Sequence, residues 1–149
     1  MIHNWEERYR AGNPPWEDNR PNPLLVSLVA SHAQLSDTVL EVGCGLGHNA
    51  VALAKLGYRV IATDLSKTAV ARALSLAKEQ NVRLDCRVLD VFNRSLLEQP
   101  IDVVYEKGVL HTFFSATSRE SYINAVSELL PEGGLWISVS GSAENADLK

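Results

Sequence analysis

Two cysteines, four histidines and one methionine are all the sulfur and imidazole that 149 residues contain. Two cysteines cannot staple a disulfide scaffold, and they suit a reducing compartment such as the cytoplasm. No C-x-x-C or H-x-x-x-H pair occurs, so no metal site is expected. Apolar runs are short. None reaches the roughly 18 residues of a membrane span, and Met1-Ile2-His3-Asn4-Trp5-Glu6-Glu7-Arg8 lacks the apolar stretch of a secretory signal. Positive charge is scarce as well. Fourteen basic residues against 18 acidic ones leave a net charge of −4, which argues against a nucleic-acid groove. The rest is ordinary for a globular chain. With 46% hydrophobic and 21% charged residues, disorder and coiled coil are poor readings. A chain of this length makes about one domain and buries roughly 68–70% of its unfolded surface.

Proline is unevenly spread. Four of the six prolines (Pro14, Pro15, Pro21, Pro23) fall in the first 23 residues, beside Trp5, Tyr9 and Trp16. Prolines at that density prevent a long helix. The segment reads as an arm, residues 1–23: a short helix around 3–11 and then a Pro-rich turn. Tails seldom carry two tryptophans, so the arm is expected to dock on the domain formed by residues 24–149.

That domain alternates strands and helices. Leu24, Leu25, Leu28, Val29 and Ala33 mark one helix face. Residues 38–42 read as a first strand and 47–56 as a helix stopped by Gly57. Residues 59–64 read as a second strand. Ser66 caps a helix that buries Ala69, Val70, Ala73, Leu74 and Ala77. Strands three, four and five are expected at 83–89, 101–105 and 135–140. Thr117 with Glu120 forms a capping box for a helix that buries Tyr122, Ile123, Val126 and Leu130 and ends at Pro131. Residues 91–100 are too few and too polar for a full helix, so that crossover is expected to be a single turn. Right-handed crossovers then predict an α/β doubly wound, Rossmann-like sheet of five parallel strands in order 3-2-1-4-5, with helices on both faces.

The sharpest signal is Glu41-Val42-Gly43-Cys44-Gly45-Leu46-Gly47, between the first strand and its helix. Glycines here permit positive φ and close approach of a ligand to backbone. Asp64 ends the second strand about 20 residues on, where a carboxylate accepts from ribose hydroxyls. A nucleoside-bearing ligand follows. The dinucleotide fingerprint G-x-G-x-x-G/A fits only loosely, because the count from Gly43 ends on His48 and the count from Gly45 ends on Ala50.

The spacing G-x-G-x-G, with an acid two residues before it, resembles class I S-adenosylmethionine-dependent methyltransferases. Leu89-Asp90-Val91, Asp102 to His111 and Pro131-Glu132-Gly133-Gly134 resemble further motifs of that family, so that residues 36–140 are covered. Trp5, Tyr9 and Trp16, followed by Pro21-Asn22-Pro23-Leu24, resemble the opening of the thiopurine S-methyltransferase-like and tellurite-resistance branch. The resemblance implies S-adenosylmethionine as cofactor, held by Trp5, Trp16, Glu41, Gly43, Gly45, Asp64, Leu65, Asp90 and Val91. Asp64 would take the ribose, Asp90 the adenine amine, and the aromatic rings the sulfonium. The rings have a second reading as plugs of an open core edge. Glu106-Lys107 stands where the branch often has an acid-arginine pair, and lysine lacks the bidentate fork.

Methyl transfer from a sulfonium asks mostly for alignment and a dry site. The implied acceptor is a small molecule with a soft nucleophile: a thiol, or a selenium or tellurium oxyanion. A harder nucleophile would need a base, and Glu106, Lys107 and His111 are the substrate-side candidates. Cys44 reads as a small packed residue, Cys86 as core, and His3, His32 and His48 as surface or supporting residues. Two other classes stay open: a methyltransferase-like binding or regulatory module, and an NAD(P)-dependent oxidoreductase. Related enzymes carry a C-terminal antiparallel hairpin after strand five, which is expected to be absent here. The fifth strand would then be an edge, and a homodimer through that edge is expected.

Overall fold

The computed structural model describes residues 4–141. His3, and the residues after Gly141 on which the expected absence of a hairpin rests, lie outside the described residues. Among the described residues no helix is long and apolar enough to cross a membrane.

Two short helices open the chain, α1 (Trp5–Arg10) and α2 (Pro23–His32). Both start on an asparagine: Asn4 accepts from the Glu7 N–H and Asn22 from the Leu25 N–H. These side chains satisfy amides that a helix start leaves open. Then β1 (Thr38–Val42), α3 (His48–Lys55), β2 (Arg59–Asp64), α4 (Lys67–Glu79) and β3 (Asp85–Val88) follow in turn. Two turns of 3-10 helix over Val91–Leu96, broken at Asn93, lead to β4 (Val103–Lys107). A further 3-10 turn (Leu110–Thr112), α5 (Ala116–Ser127) and β5 (Leu135–Val139) complete the fold.

The sheet is five-stranded and parallel in the order β3-β2-β1-β4-β5, as the motif order predicts. Side chains alternate across it. Val39, Val103 and Tyr105 face α2 and α3, where Leu25, Val29 and Leu53 complete one core. Leu40, Val42 and Val104 face the other way, onto Tyr122 and Val126 of α5. A third, small cluster joins Tyr9 of α1 to Leu46 and Ala69. The arm is therefore part of the packed body.

Several boundaries differ from the sequence reading. β4 runs to Lys107, two residues beyond the expected end, because its pairing with β5 continues through Glu106↔Ser138 and Lys107↔Val139. α5 starts on Ser115, whose hydroxyl accepts from the Ser118 N–H, rather than on a Thr117–Glu120 box. It ends at Ser127, before Pro131. Ile123 and Leu74 are exposed, and Leu130 and Cys86 are only partly buried. Periodicity marks a face, but its margin depends on how far the sheet beneath extends. β3 is trimmed to four residues, since only Asp85 to Val88 find partners on β2.

Candidate active site

The site forms at the carboxyl ends of β1, β2 and β4, where an open parallel sheet leaves a crevice. β1 leads straight into the glycine loop. The Cys44 N–H donates to the Thr63 carbonyl at 2.9 Å, which ties the loop to the end of β2. Asp64 is buried beside it. One carboxylate oxygen accepts from the Gly45 N–H and the other from the Ser66 N–H, each at 2.9 Å. Burial raises its pKa, and these backbone donors offset part of the rise. Gly47 has φ +82°, and a Cβ there would stand 2.6 Å from the Cβ of Ala73, so glycine lets α3 close onto α4.

Glu41, on β1, is fully enclosed. It accepts from the Tyr105 hydroxyl at 2.8 Å, and burial pushes its pKa up to about 8. Cys44 is buried with its sulfur 3.8 Å from that of Cys86, and its thiol pKa is raised by that contact and by burial. A thiol held protonated is a poor nucleophile, which agrees with a packing role.

The arm crosses over these tips as a strap. At its root, Glu6 accepts from the hydroxyls of Ser66 and Thr68 and from the Thr68 N–H, at 2.6–3.1 Å. These bonds, that from the Thr68 hydroxyl foremost, lower the Glu6 pKa to about 2. Arg72 holds the Gly12 carbonyl at 3.0 Å. Farther along, Trp16 packs edge-on against Trp5 and Tyr9. Asp18 then pairs with Lys107 of β4 at 2.8 Å.

Strap and strand tips enclose a cavity of about 890 Å³. Trp5, Trp16, Glu41, Gly43, Asp64, Leu65, Asp90, Val91, Lys107 and His111 all line it. Sequence reasoning named these ten, and the structure brings them together. Asp90 is exposed and caps the 3-10 segment through the Phe92 N–H at 3.0 Å. Gly45 and Glu106 are not among the lining residues. Gly45 lies beneath Glu17 and Tyr9, and a Cβ there would overlap the Glu17 carboxylate. Glu106 sits within β4, not past it. Its carboxylate accepts from the N–H groups of Val109 and Leu110 at 2.7 and 3.4 Å and from the Ser138 hydroxyl. His111 accepts the Gly141 N–H on Nδ1 at 3.2 Å.

The structure adds lining residues that the sequence reading passed over. Glu17, Asp18 and Asn49 are polar; Phe92, Val109, Phe113 and Phe114 make an apolar wall. The pair Phe113-Phe114 just beyond the fourth-strand motif was a usable signal. His48, expected as a surface or supporting residue, also lines the cavity. Among the described residues no three metal-ligating side chains gather.

A family model for thiopurine S-methyltransferase matches residues 2–148. The chain belongs to the thiopurine S-methyltransferase family. Within curated proteins it is similar to "Probable thiol methyltransferase 2" of Arabidopsis thaliana, 28% identical over 134 residues, covering 87% of this chain and 58% of that protein. Thiocyanate methyltransferase 1 of Brassica oleracea is 38% identical over 69 residues, 46% of this chain and 30% of that one. The fold is similar to a solved structure described as conversion of a disulfide bond into a thioacetal group during echinomycin biosynthesis. There the TM-score is 0.76 at 29% identity, over 87% of this chain and 57% of that chain. The chain thus spans less than two thirds of the length of these relatives. Membership in this methyltransferase family decides between the two nucleoside-bearing cofactors, in favour of S-adenosylmethionine. The residues fit it: carboxylates at the tip of β2 and beyond β3, Gly43 and Cys44 of the glycine loop on the cavity wall, and aromatic rings for a cation.

Proposed function

We propose that this chain catalyses methyl transfer from S-adenosylmethionine to a small soft nucleophile, a thiol or a selenium or tellurium oxyanion. The cofactor supplies the methyl group as an electrophilic sulfonium. The protein's part is positioning. Asp64 holds ribose hydroxyls, Asp90 the adenine amine, and Glu41 braces the loop from beneath. Trp5, Tyr9 and Trp16 present ring faces and exclude water. Residues 1–23 act as a lid on residues 24–149.

The observation that carries the soft-acceptor reading is the engagement of Glu106. Its carboxylate bonds Val109, Leu110 and Ser138 within the protein, which suits bracing of the β4 turn rather than proton abstraction. Lys107, paired with Asp18, offers charge to an anionic acceptor when the pair opens. An acceptor that arrives as a thiolate or oxyanion needs no base. The names of the similar plant proteins, a thiol and a thiocyanate methyltransferase, support the same class. A cytoplasmic setting belongs to this proposal and rests on the two free thiols.

Incubation of the chain with S-adenosylmethionine and a panel of thiols, selenite, tellurite, phenols and amines tests the reading. S-adenosylhomocysteine should form with soft acceptors and not with the amines. Cofactor binding without product from any acceptor would instead mark a binding or regulatory module. Turnover of amines alone would overturn the soft-nucleophile class.

Self-association through β5 is part of the same proposal. Among the described residues β5 pairs with β4 alone, and Leu135, Trp136 and Val139 on it are partly exposed. An open strand edge offers unpaired amides to a second copy. Light scattering across a hundredfold dilution should show a dimer that Val139→Lys weakens. A species that stays at 16.4 kDa throughout would reject it.

A further inference from the structure

The strap sets a carboxylate, Glu17, directly on the glycine loop. The Trp16 indole N–H donates to the Tyr9 hydroxyl at 3.1 Å, and that hydroxyl donates to Glu17 Oε1 at 2.9 Å. The Leu46 N–H reaches the same oxygen at 3.3 Å. The preceding amide, that of Gly45, goes to Asp64. Consecutive amides of the loop therefore hold two carboxylates, one from the strand tip and one from the strap. Gly45 is bare on the side that Glu17 covers.

This arrangement concentrates negative charge. Glu17, Glu41 and Asp64 line one cavity, and the charge of Glu17 contributes to the raised pKa of both others. Two of the cavity's cations have partners of their own: Arg8 lies 6.0 Å from the Trp16 ring centre, and Lys107 is paired with Asp18. Carboxylates held together at a cost in repulsion fit a ligand that brings positive charge.

We propose that Glu17 is a specificity-determining residue, whose charge on the glycine loop makes the cavity favour sulfonium S-adenosylmethionine over the neutral thioether S-adenosylhomocysteine. The inference rests on the cofactor reading above and adds a role for one residue. It also explains release. In the transfer, the S–CH3 bond breaks with its electron pair left on the cofactor sulfur, and the acceptor's own pair forms the new bond to the methyl carbon. With an anionic acceptor both charges vanish. Glu17 then faces Asp64 without the compensating cation, and their repulsion favours lifting of the strap.

Both ligands carry the same ammonium and carboxylate, so comparing them isolates the sulfonium. Calorimetry on the whole chain gives the affinity of each for wild type, Glu17→Gln and Glu17→Asp. Glu17→Gln should lower the ratio of S-adenosylmethionine to S-adenosylhomocysteine affinity about tenfold, with the second ligand little changed. Glu17→Asp keeps the charge but draws it back from the loop, and should lower the ratio less. It also serves if the glutamine variant does not fold. Equal losses for both ligands would make Glu17 a mechanical latch and overturn the proposal, as would no change. Tighter S-adenosylmethionine binding would overturn it too, since Glu17 would then compete with the cofactor's carboxylate for the Leu46 amide. If wild type binds neither ligand, the cofactor reading itself fails. If wild type binds both and the ratio does not move, only the role of Glu17 fails.

Discussion

Asp64→Ala is expected to weaken S-adenosylmethionine binding about tenfold to hundredfold. A hydrogen bond involving a charged group contributes about 1.5–3 kcal/mol, which is that range in affinity. The residue has two duties, and the substitution removes both. Its carboxylate accepts the amides of Gly45 and Ser66, so it shapes the glycine loop and the start of α4. A carboxylate can accept about four hydrogen bonds, so capacity remains for a ribose hydroxyl. Asp64→Asn separates the duties, because an amide oxygen can still hold one of the two backbone donors. It should fold nearly as well as wild type and bind the cofactor between wild type and alanine. Trp5 and Trp16 line the same cavity, so tryptophan emission reports the titration directly. Unchanged affinity in a folded Asp64→Ala protein would remove Asp64 from the site.

Stability should fall as pH rises from about 5 to 8, with Glu41 as the largest cause. The folded protein keeps Glu41 protonated up to about pH 8, whereas the unfolded chain releases that proton near the ordinary value of 4.5. Between those two points the folded state binds more protons, so each rise in pH favours unfolding. Below the lower value the effect is absent, and above the upper one it is complete. At one pKa unit per 1.36 kcal/mol, the full loss is roughly 3–5 kcal/mol. Asp64 is displaced in the same direction by burial, so its effect has the same sign. Glu41→Gln is uncharged at every pH and can still accept from Tyr105. Its denaturant midpoint should match wild type near pH 5 and exceed it increasingly towards pH 8. Parallel curves for the two proteins would show that Glu41 is charged in the fold. A cationic ligand should draw the proton off Glu41, so cofactor binding at neutral pH should release protons.

Most of the scaffold was legible because it is local. Short apolar runs, the Ser66 cap, the Gly57 stop and the Gly133-Gly134 turn act within a few residues, and their order implies the crossovers. The glycine loop and Asp64 were legible for a related reason. Each stands at a fixed distance along the chain from a strand end, and the strand end places it. Glu106 was less legible. The sequence reading set it past β4 as a candidate base, but pairing with both β1 and β5 extends the strand through it and encloses its carboxylate. Strand length is decided by the neighbours' hydrogen bonds, which no run of residues displays. The Thr117–Glu120 box failed similarly, since Ser115 was an equally good cap two residues earlier.

The amino-acid order by itself determined the doubly wound sheet, the glycine loop with its acidic partner, and an aromatic arm too rich in tryptophan to be a tail. Those features follow from periodicity, turn chemistry and spacing, which are properties of neighbouring residues. Only the tertiary structure decided where the arm lies and what its polar residues do. Glu6 meets Ser66 and Thr68, Glu17 meets Leu46, and Asp18 meets Lys107, across separations of 62, 29 and 89 residues for the last bond in each case. Contacts at such distances depend on the packing of Tyr9 against Leu46 and Ala69, which aims the strap. Burial settled the rest, because a carboxylate changes from a solvated charge to a proton-holding group only when neighbours from several elements exclude water from it.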